Sequence, residues 1–140
     1  MPDEVLRVGA VAELDPDPER ELETWRADLE LAELDDPAET RERLDAHERG
    51  EAAIVRLGLF ADVLDGERLR RIDGVHVSGL WFARADDPGN VRHAAEIVTD
   101  RLGELRDHLE RRGIVSSVAA LNELPVRIEL DERLAERLHA

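Results

Sequence analysis

The chain lacks several residue types on which common protein chemistry depends. Its 140 residues include no cysteine, no lysine and no tyrosine. Without cysteine there are no disulfides or thiolate metal ligands, and without lysine there is no Schiff-base or P-loop lysine. Two tryptophans and two phenylalanines offer few surfaces on which nucleic-acid bases could stack. We therefore expect no cofactor and no direct nucleic-acid binding.

Acidic residues greatly outnumber basic ones in this sequence. The sequence has 34 acidic and 19 basic residues, all of the latter arginine, for a formal net charge of −15. Phosphate binding favours a net basic surface, so this balance also disfavours nucleic acid as a partner. An acidic, lysine-free surface is typical of a saline cytosol or a GC-rich coding bias, and it also suits a protein that binds a basic partner. The sequence does not distinguish between these origins of the charge.

Length and hydropathy predict one domain spanning residues 1–140. A chain of this size buries about 70% of its unfolded surface, and the apolar content of 42% supplies a core. No apolar run reaches the roughly 18 residues that a membrane span requires. The N-terminus, Met1–Glu4, is acidic and has no signal-peptide pattern. We expect a cytoplasmic protein that does not bind membranes.

Hydrophobic periodicity predicts four strands and three helical regions. The predicted strands are residues 6–14, residues 52–64, a return strand that ends at residues 75–82, and a last strand that begins after Pro125. The predicted helices are a region from Pro18 to Gly50 interrupted at Pro37, a long helix that Gly113 ends, and a short helix after Asp131. Residues 114–121 are apolar, and the structure of residues 114–124 has no assignment.

Two Asp-Gly pairs lie in the middle of the sequence. Asp65-Gly66 predicts a two-residue hairpin turn, because glycine adopts positive φ at no steric cost. Such a turn places Val55 opposite His76, which sets an inward side chain against an outward one. One extra residue near Gly74 corrects this mismatch, so we predict a β-bulge there. The alternative is a second hairpin at Asp73-Gly74.

The element order predicts an α+β, ferredoxin-like βαββαβ plait with a short extra C-terminal helix. In this fold, right-handed crossovers place the helices on one face of a four-stranded antiparallel sheet. The other sheet face stays open.

Alternation along the strands places large apolar side chains on that open face. Exposed apolar patches of this size mark interaction sites, and closed two-fold dimers are the commonest oligomers. We therefore predict an interface with a second copy or another protein. Its expected residues are Ile54, Phe60, Leu64, Leu80 and Phe82.

A polar stripe is predicted on the same face. Its residues are Arg7, Arg56, His76, Ser78 and Arg127. Arginine pairs carboxylates or phosphates in bidentate fashion, so the stripe is a candidate site for a small anion. The alternative is that each arginine pairs with a nearby carboxylate such as Asp62, Glu13 or Glu129.

Neither metal nor catalytic motifs stand out in the sequence. His93-x-x-Glu96 with Asp100 has helical spacing, but other charged residues continue that side as a solvated face. No serine lies in a Gly-x-Ser-x-Gly elbow, and the His76/Ser78 pair lacks an orienting carboxylate. We predict no metal site and no catalytic residue.

Three functions are compatible with these features. The first is a non-enzymatic binding or regulatory module that acts through the open sheet face, by homodimerisation or by binding another protein. The second is a dimeric α+β-barrel-type small enzyme or anion-binding protein, with a pocket lined by Arg56, His76, Ser78, Trp81 and Phe82. The third is an acidic inhibitor or antitoxin-like protein that occupies a basic site.

Overall fold

A computed structural model of the chain describes residues 4–31, 37–83 and 88–139. These residues form an α+β fold with a four-stranded mixed sheet and six helices. The strands are β1 (Glu4–Leu14), β2 (Ala53–Asp65), β3 (Arg68–Phe82) and β4 (Val126–Leu130). The helices are α1 (Pro18–Leu31), α2 (Pro37–Glu48), α3 (Pro88–Asp100), α4 (Leu102–Arg111), α5 (Val118–Asn122) and α6 (Glu132–His139). Among the described helices, none has both the length and the apolar character that a bilayer crossing requires.

The predicted ferredoxin-like plait is wrong. The strand order is β3-β2-β1-β4, in which β1 pairs antiparallel with β2 and parallel with β4. A plait instead requires an antiparallel sheet in which helical crossovers separate β1 from β2 in space. Here β1 and β2 are direct neighbours, so the α1–α2 segment between them is an excursion and not a crossover.

The only long crossover in the described chain joins the two edges of the sheet. Strand β3 is antiparallel to β2, and β2 is antiparallel to β1, so β3 and β4 run in the same direction. Helices α3, α4 and α5 connect β3 to β4, and α3 and α4 pack against one side of the strands between them. Parallel strands require such a connection, because a tight turn cannot join them.

The sheet face beneath α3, α4 and α6 holds the main core, and we call it the inner face. Alternate residues of β2, from Ala53 to Val63, are fully buried there. The helices contribute Val98, Leu105 and Leu134 to the same cluster. Burial of each large aliphatic side chain stabilises the fold by about 1.5–3 kcal/mol, so this face is the main source of stability.

The predicted long helix is interrupted at Arg101, which lies between α3 and α4 with φ −106° and ψ 12°. Val98 and the leucines of α4 are buried as predicted, but in the first turns Ala94 is buried while Val91 is 49% exposed. The buried stripe therefore continues from α3 into α4 at positions 94, 98, 102, 105 and 109, and it differs from the prediction only in the first turns of α3.

The hairpin between β2 and β3 is confirmed, although its turn lies one residue later than predicted. Asp65 pairs with Arg68, so the turn residues are Gly66, at φ +65°, and Glu67. The bulge at Gly74 is confirmed, because Val75 pairs with Leu59 while Asp73 pairs with Phe60. A second irregularity, which the sequence analysis missed, places Ser78 and Gly79 opposite Arg56.

The unassigned residues 114–124 include the short helix α5. Ser117 precedes it in an extended conformation, and the serine side chain accepts a hydrogen bond from the N–H of Ala120. This is an ordinary N-cap. Asp131 performs a similar role before α6, since its carboxylate accepts a hydrogen bond from the N–H of Arg133.

Gly9 of β1 tests how closely the strands and Phe60 pack. A methyl group at this position would overlap the carbonyl oxygen of Arg127 and would lie 2.8 Å from Cζ of Phe60. We expect Gly9→Ala to lower the free energy of unfolding by about 1–3 kcal/mol, because neither neighbour can yield without moving a strand. Chemical denaturation monitored by circular dichroism measures the change.

Gly103 provides the matched control, since it lies in α4 and a methyl group there meets nothing within 4 Å. Gly103→Ala should leave stability unchanged or raise it by up to about 1 kcal/mol, because alanine favours the helix. Equal effects at both positions would contradict the close approach at Gly9.

Candidate functional site

The sheet face opposite the inner face, which we call the outer face, is covered by helices at one end. Leu22 of α1 and Leu44 of α2 pack there on Ile54 of β2 in a second, smaller core. Trp25 and Trp81 meet edge to face beside it, with ring centroids 5.8 Å apart. The outward face of the sheet is therefore not entirely open as predicted, because α1 and α2 cover its Ile54 end.

The rest of the outer face carries the arginines that the sequence analysis singled out. Each of the three forms an ion pair across or along the strands. The pairs are Arg7 with Asp62, Arg56 with Glu13, and Arg127 with Glu129. The predicted alternative, in which these arginines are held by nearby carboxylates, is confirmed. Binding of a small anion by the same arginines remains a prediction.

Arg71 of β3 is the residue that sequence reasoning missed. Its guanidinium donates to both carboxylate oxygens of Asp62, at 2.8 and 3.2 Å, and to both of Glu129, at 3.1 and 2.8 Å. Asp62 lies on the neighbouring strand, whereas Glu129 lies on β4 at the far edge of the sheet. One side chain therefore connects the two edges of the sheet.

The turn position explains why Arg71 was missed. A turn at Asp65-Gly66 would have placed Leu69 opposite Asp62, whereas the observed turn at Gly66-Glu67 places Arg71 there. Moving the turn by one residue moves every cross-strand partner by two, so the turn decides which side chain faces the carboxylate. The consecutive arginines at 70 and 71 were the available signal, but only the correct register identifies the one that is used.

Phe60 lies beneath this arginine. The central carbon of the Arg71 guanidinium is 3.6 Å from the centroid of the Phe60 ring, and Phe60 is fully buried. Gly9 on the adjacent strand leaves room for the ring. The flat cation thus covers an aromatic side chain that belongs to neither helix-packed core cluster, through cation–π attraction and apolar contact.

We call the linked residues Arg7, Asp62, Arg71, Glu129 and Arg127 the Asp62 network. Every strand contributes at least one of them. Asp62 is its buried member, with a side chain only 3% exposed. Hydrogen bonds from Arg71, and then from Arg7, hold the pKa of Asp62 below its ordinary value, and the hydrogen bond from Arg71 likewise lowers the pKa of Glu129. Both carboxylates therefore stay ionised to a lower pH than unpaired carboxyl groups do.

Next to the network the outer face has a shallow depression of about 220 Å³. Its floor is formed by Val11, Gly58 and Phe60, and its rim by Glu13, Arg71, Asp73 and His76. Within the described ranges, the Asp73 carboxylate is exposed and has no ion-pair partner. Ser78, which was predicted to share this site, does not line the depression and lies exposed in the second bulge of β3.

The five residues predicted to form the apolar interface do not lie together on one surface. Phe82 is fully buried on the inner face, where Leu80 also packs, so the expectation that they lie on the open face is wrong. Ile54 and Phe60 are on the outer face but are buried, the former by α1 and α2 and the latter by Arg71. Leu64 is partly exposed near the hairpin. Of the five predicted interface residues, only Leu64 therefore adds exposed apolar surface to this face.

The pocket proposed for an enzyme does not assemble. Phe82 faces the inner core, whereas His76 lines the outer depression. Trp81 lines a different depression, of about 590 Å³, together with Trp25 and Arg43. Three of the five residues predicted to line this pocket thus lie in three different parts of the structure.

In the described part of the chain, no group of three or more His, Asp or Glu side chains is placed to hold a metal ion. Comparisons with models of protein families, with curated proteins and with solved structures found no significant match to this chain.

Asp62→Asn tests the centre of the network. We expect the variant to lose about 1–3 kcal/mol of stability at neutral pH, because two arginines lose their shared charge partner. The folded-state pKa of Asp62 is lowered, so its contribution is complete above the ordinary carboxyl pKa of about 4 and declines as the pH falls through the folded value. The difference between wild type and variant should shrink below about pH 4. Denaturation curves across this range measure it.

Asp100→Asn is the control, because Asp100 is an exposed carboxylate on α3. Its effect should be close to zero at every pH. A wild-type advantage over Asp62→Asn that persists unchanged into strong acid would show that the Asp62 charge does not supply the stabilisation.

Proposed function

We propose that this chain is a non-enzymatic protein-binding module that docks a basic partner on the exposed part of its outer sheet face. The observation that carries the proposal is the charge balance of that face. Four arginines, at positions 7, 56, 71 and 127, lie among five carboxylates, at positions 4, 13, 62, 73 and 129, for a net charge of −1. The chain as a whole has a charge of −15.

The acidity is therefore concentrated outside this face, and part of it borders the face directly. Helices α1 and α2 together carry nine acidic and four basic residues, and they lie on the Ile54 end of the same sheet side. Strongly acidic surface around the outer face attracts a basic partner over long range, while paired charges at the contact fix the orientation of that partner. This arrangement favours protein recognition.

The fixed geometry of the face also supports docking. Bidentate arginine pairs hold the side chains in place, so a partner need not immobilise them on binding, and the entropic cost of association falls. The depression beside Asp73 is the natural contact for a cationic side chain of the partner, because Asp73 and Glu13 border it. The arginines already bind carboxylates, and a small anion would have to displace them.

Affinity capture from a lysate of the source organism tests the proposal. Immobilised wild-type chain and the variant Asp73→Arg are compared by quantitative mass spectrometry. We expect basic proteins on the wild type and at least a tenfold loss on Asp73→Arg, because like charges at a contact are repulsive.

Glu23→Arg, on the exposed side of α1, makes the same change of charge away from the depression. Under this proposal it retains the partner. Loss with Glu23→Arg and retention with Asp73→Arg would instead favour the inhibitor-like alternative, in which the acidic helices make the contact. Retention by both variants would overturn docking at either surface.

A further inference from the structure

Strand β4 has one free edge in the described part of the structure. It is the terminal strand of the sheet and pairs only with β1 on its other side. The carbonyl of Pro125 accepts from the N–H of Val8, and the N–H of Asp131 donates to the carbonyl of Ala12. Backbone groups alternate in direction along a strand, so the odd-numbered residues bond to β1. Val126, Ile128 and Leu130 therefore direct their N–H and C=O groups outwards.

The two edges of the sheet are not equally accessible to another strand. The β3 edge has two irregularities. Gly74 at the first is covered by His108, whose Nε2 lies 2.8 Å from the carbonyl oxygen of Asp73, and at the second the N–H of Gly79 donates to Asp15. The β4 edge has a regular register, no proline within the strand, and two partly exposed apolar side chains, Val126 at 40% and Leu130 at 39%. Regular edges of this kind pair with other strands.

We propose that β4 pairs with β4 of a second copy of this chain, antiparallel, about a two-fold axis through Ile128. The sequence Val126-Arg127-Ile128-Glu129-Leu130 is complementary to itself in this arrangement. Arg127 faces Glu129 of the second copy, and Val126 faces its Leu130. Because each of these contacts occurs twice, the interface is isologous, as a closed dimer requires.

The backbone geometry agrees with this register. Residues opposite each other at hydrogen-bonded positions must both have outward N–H and C=O groups, which holds for Ile128 with its copy and for Val126 with Leu130. About six inter-chain hydrogen bonds result. Arg127 and Glu129 then occupy non-hydrogen-bonded positions, where opposing side chains approach most closely.

Neighbouring registers are less favourable. A two-fold axis through residue 127 would set Arg127 against itself, and an axis through residue 129 would set Glu129 against itself. Like charges directly opposite each other are destabilising, so of these three centres only Ile128 avoids repulsion. Arg127 is available for the contact, since its side chain is 55% exposed.

The resulting dimer has one continuous eight-stranded sheet. Because the two-fold axis is perpendicular to the sheet, both outer faces lie on the same side. This consequence rests on the proposed function: two docking faces side by side would bind a repeated or dimeric basic partner with avidity. The pairing of the edges does not itself depend on docking.

Sedimentation equilibrium with charge-reversed chains tests the pairing, at about 0.15 M salt, where a Debye length of about 8 Å screens the long-range repulsion between two acidic copies but leaves the contact between facing side chains effective. Wild type should be dimeric at about 0.1 mM. Arg127→Glu and Glu129→Arg should each be monomeric, with dissociation constants raised at least tenfold, because each sets like charges opposite each other. An equimolar mixture of the two variants should form a heterodimer, since all four facing residues then have opposite charges.

Arg41→Glu, an exposed position on α2, is the matched control and should remain dimeric. Glu129→Arg also removes a partner of Arg71, so Val126→Pro provides a second test. It removes one outward N–H at the first residue of the strand, where proline is tolerated, and should yield a folded monomer. Circular dichroism establishes the fold of each variant.

A monomeric wild type would overturn the inference, as would a dimer indifferent to Arg127→Glu and Val126→Pro. A mixture of the two charge variants that stays monomeric while both are folded would overturn the proposed register. The docking test depends on Asp73, which is outside β4, so either proposal can fail without the other.

Discussion

Burial of Phe60, which belongs to neither of the two helix-packed core clusters, is the constraint on which the outer face depends. Asp62 satisfies it indirectly, because its carboxylate holds the guanidinium of Arg71 flat over the ring. The same guanidinium reaches Glu129 on β4, and Gly9 leaves space for the ring on the intervening strand. The guanidinium of Arg71 therefore buries the aromatic ring, pairs the carboxylates and connects the two edges of the sheet. Helices α1 and α2 need to cover only the Ile54 end.

The absence of lysine fits this arrangement in physical terms. Arg71 binds two carboxylates in bidentate fashion while its plane stacks on Phe60. A lysine ammonium is a strongly hydrated point charge and cannot do both. A saline cytosol or a GC-rich coding bias would favour arginine over the whole chain, but at this position the geometry of the side chain itself requires it. The network also gives a −15 chain one face on which charges nearly balance, and this contrast underlies the proposed docking surface.

Local patterns predicted the elements well, and non-local pairing was where prediction failed. Alternation identified β2 and β4, and Pro18 and Pro37 predicted the starts of α1 and α2. The alternation of Val126, Ile128 and Leu130 is the same for a parallel or an antiparallel strand, so it could not reveal that β4 runs parallel to β1. The side of Phe82 was also misassigned, because only the first of the two irregularities in β3 was predicted, and the second reverses the faces of Leu80 and Phe82.

In the candidate site, likewise, some ion pairs could be predicted from the sequence and others could not. The carboxylates that would pair Arg7, Arg56 and Arg127 were named from sequence, since charged residues on neighbouring strands of one face meet within reach. Arg71 could be identified only from the exact position of the turn. The cover over Phe60 could be predicted only once Arg71 was identified. Glu129 has a further role, because it belongs both to the network and to the free edge. In the proposed dimer it keeps its bonds to Arg71 and exchanges its own Arg127 for that of the second copy, so edge pairing leaves the docking face intact.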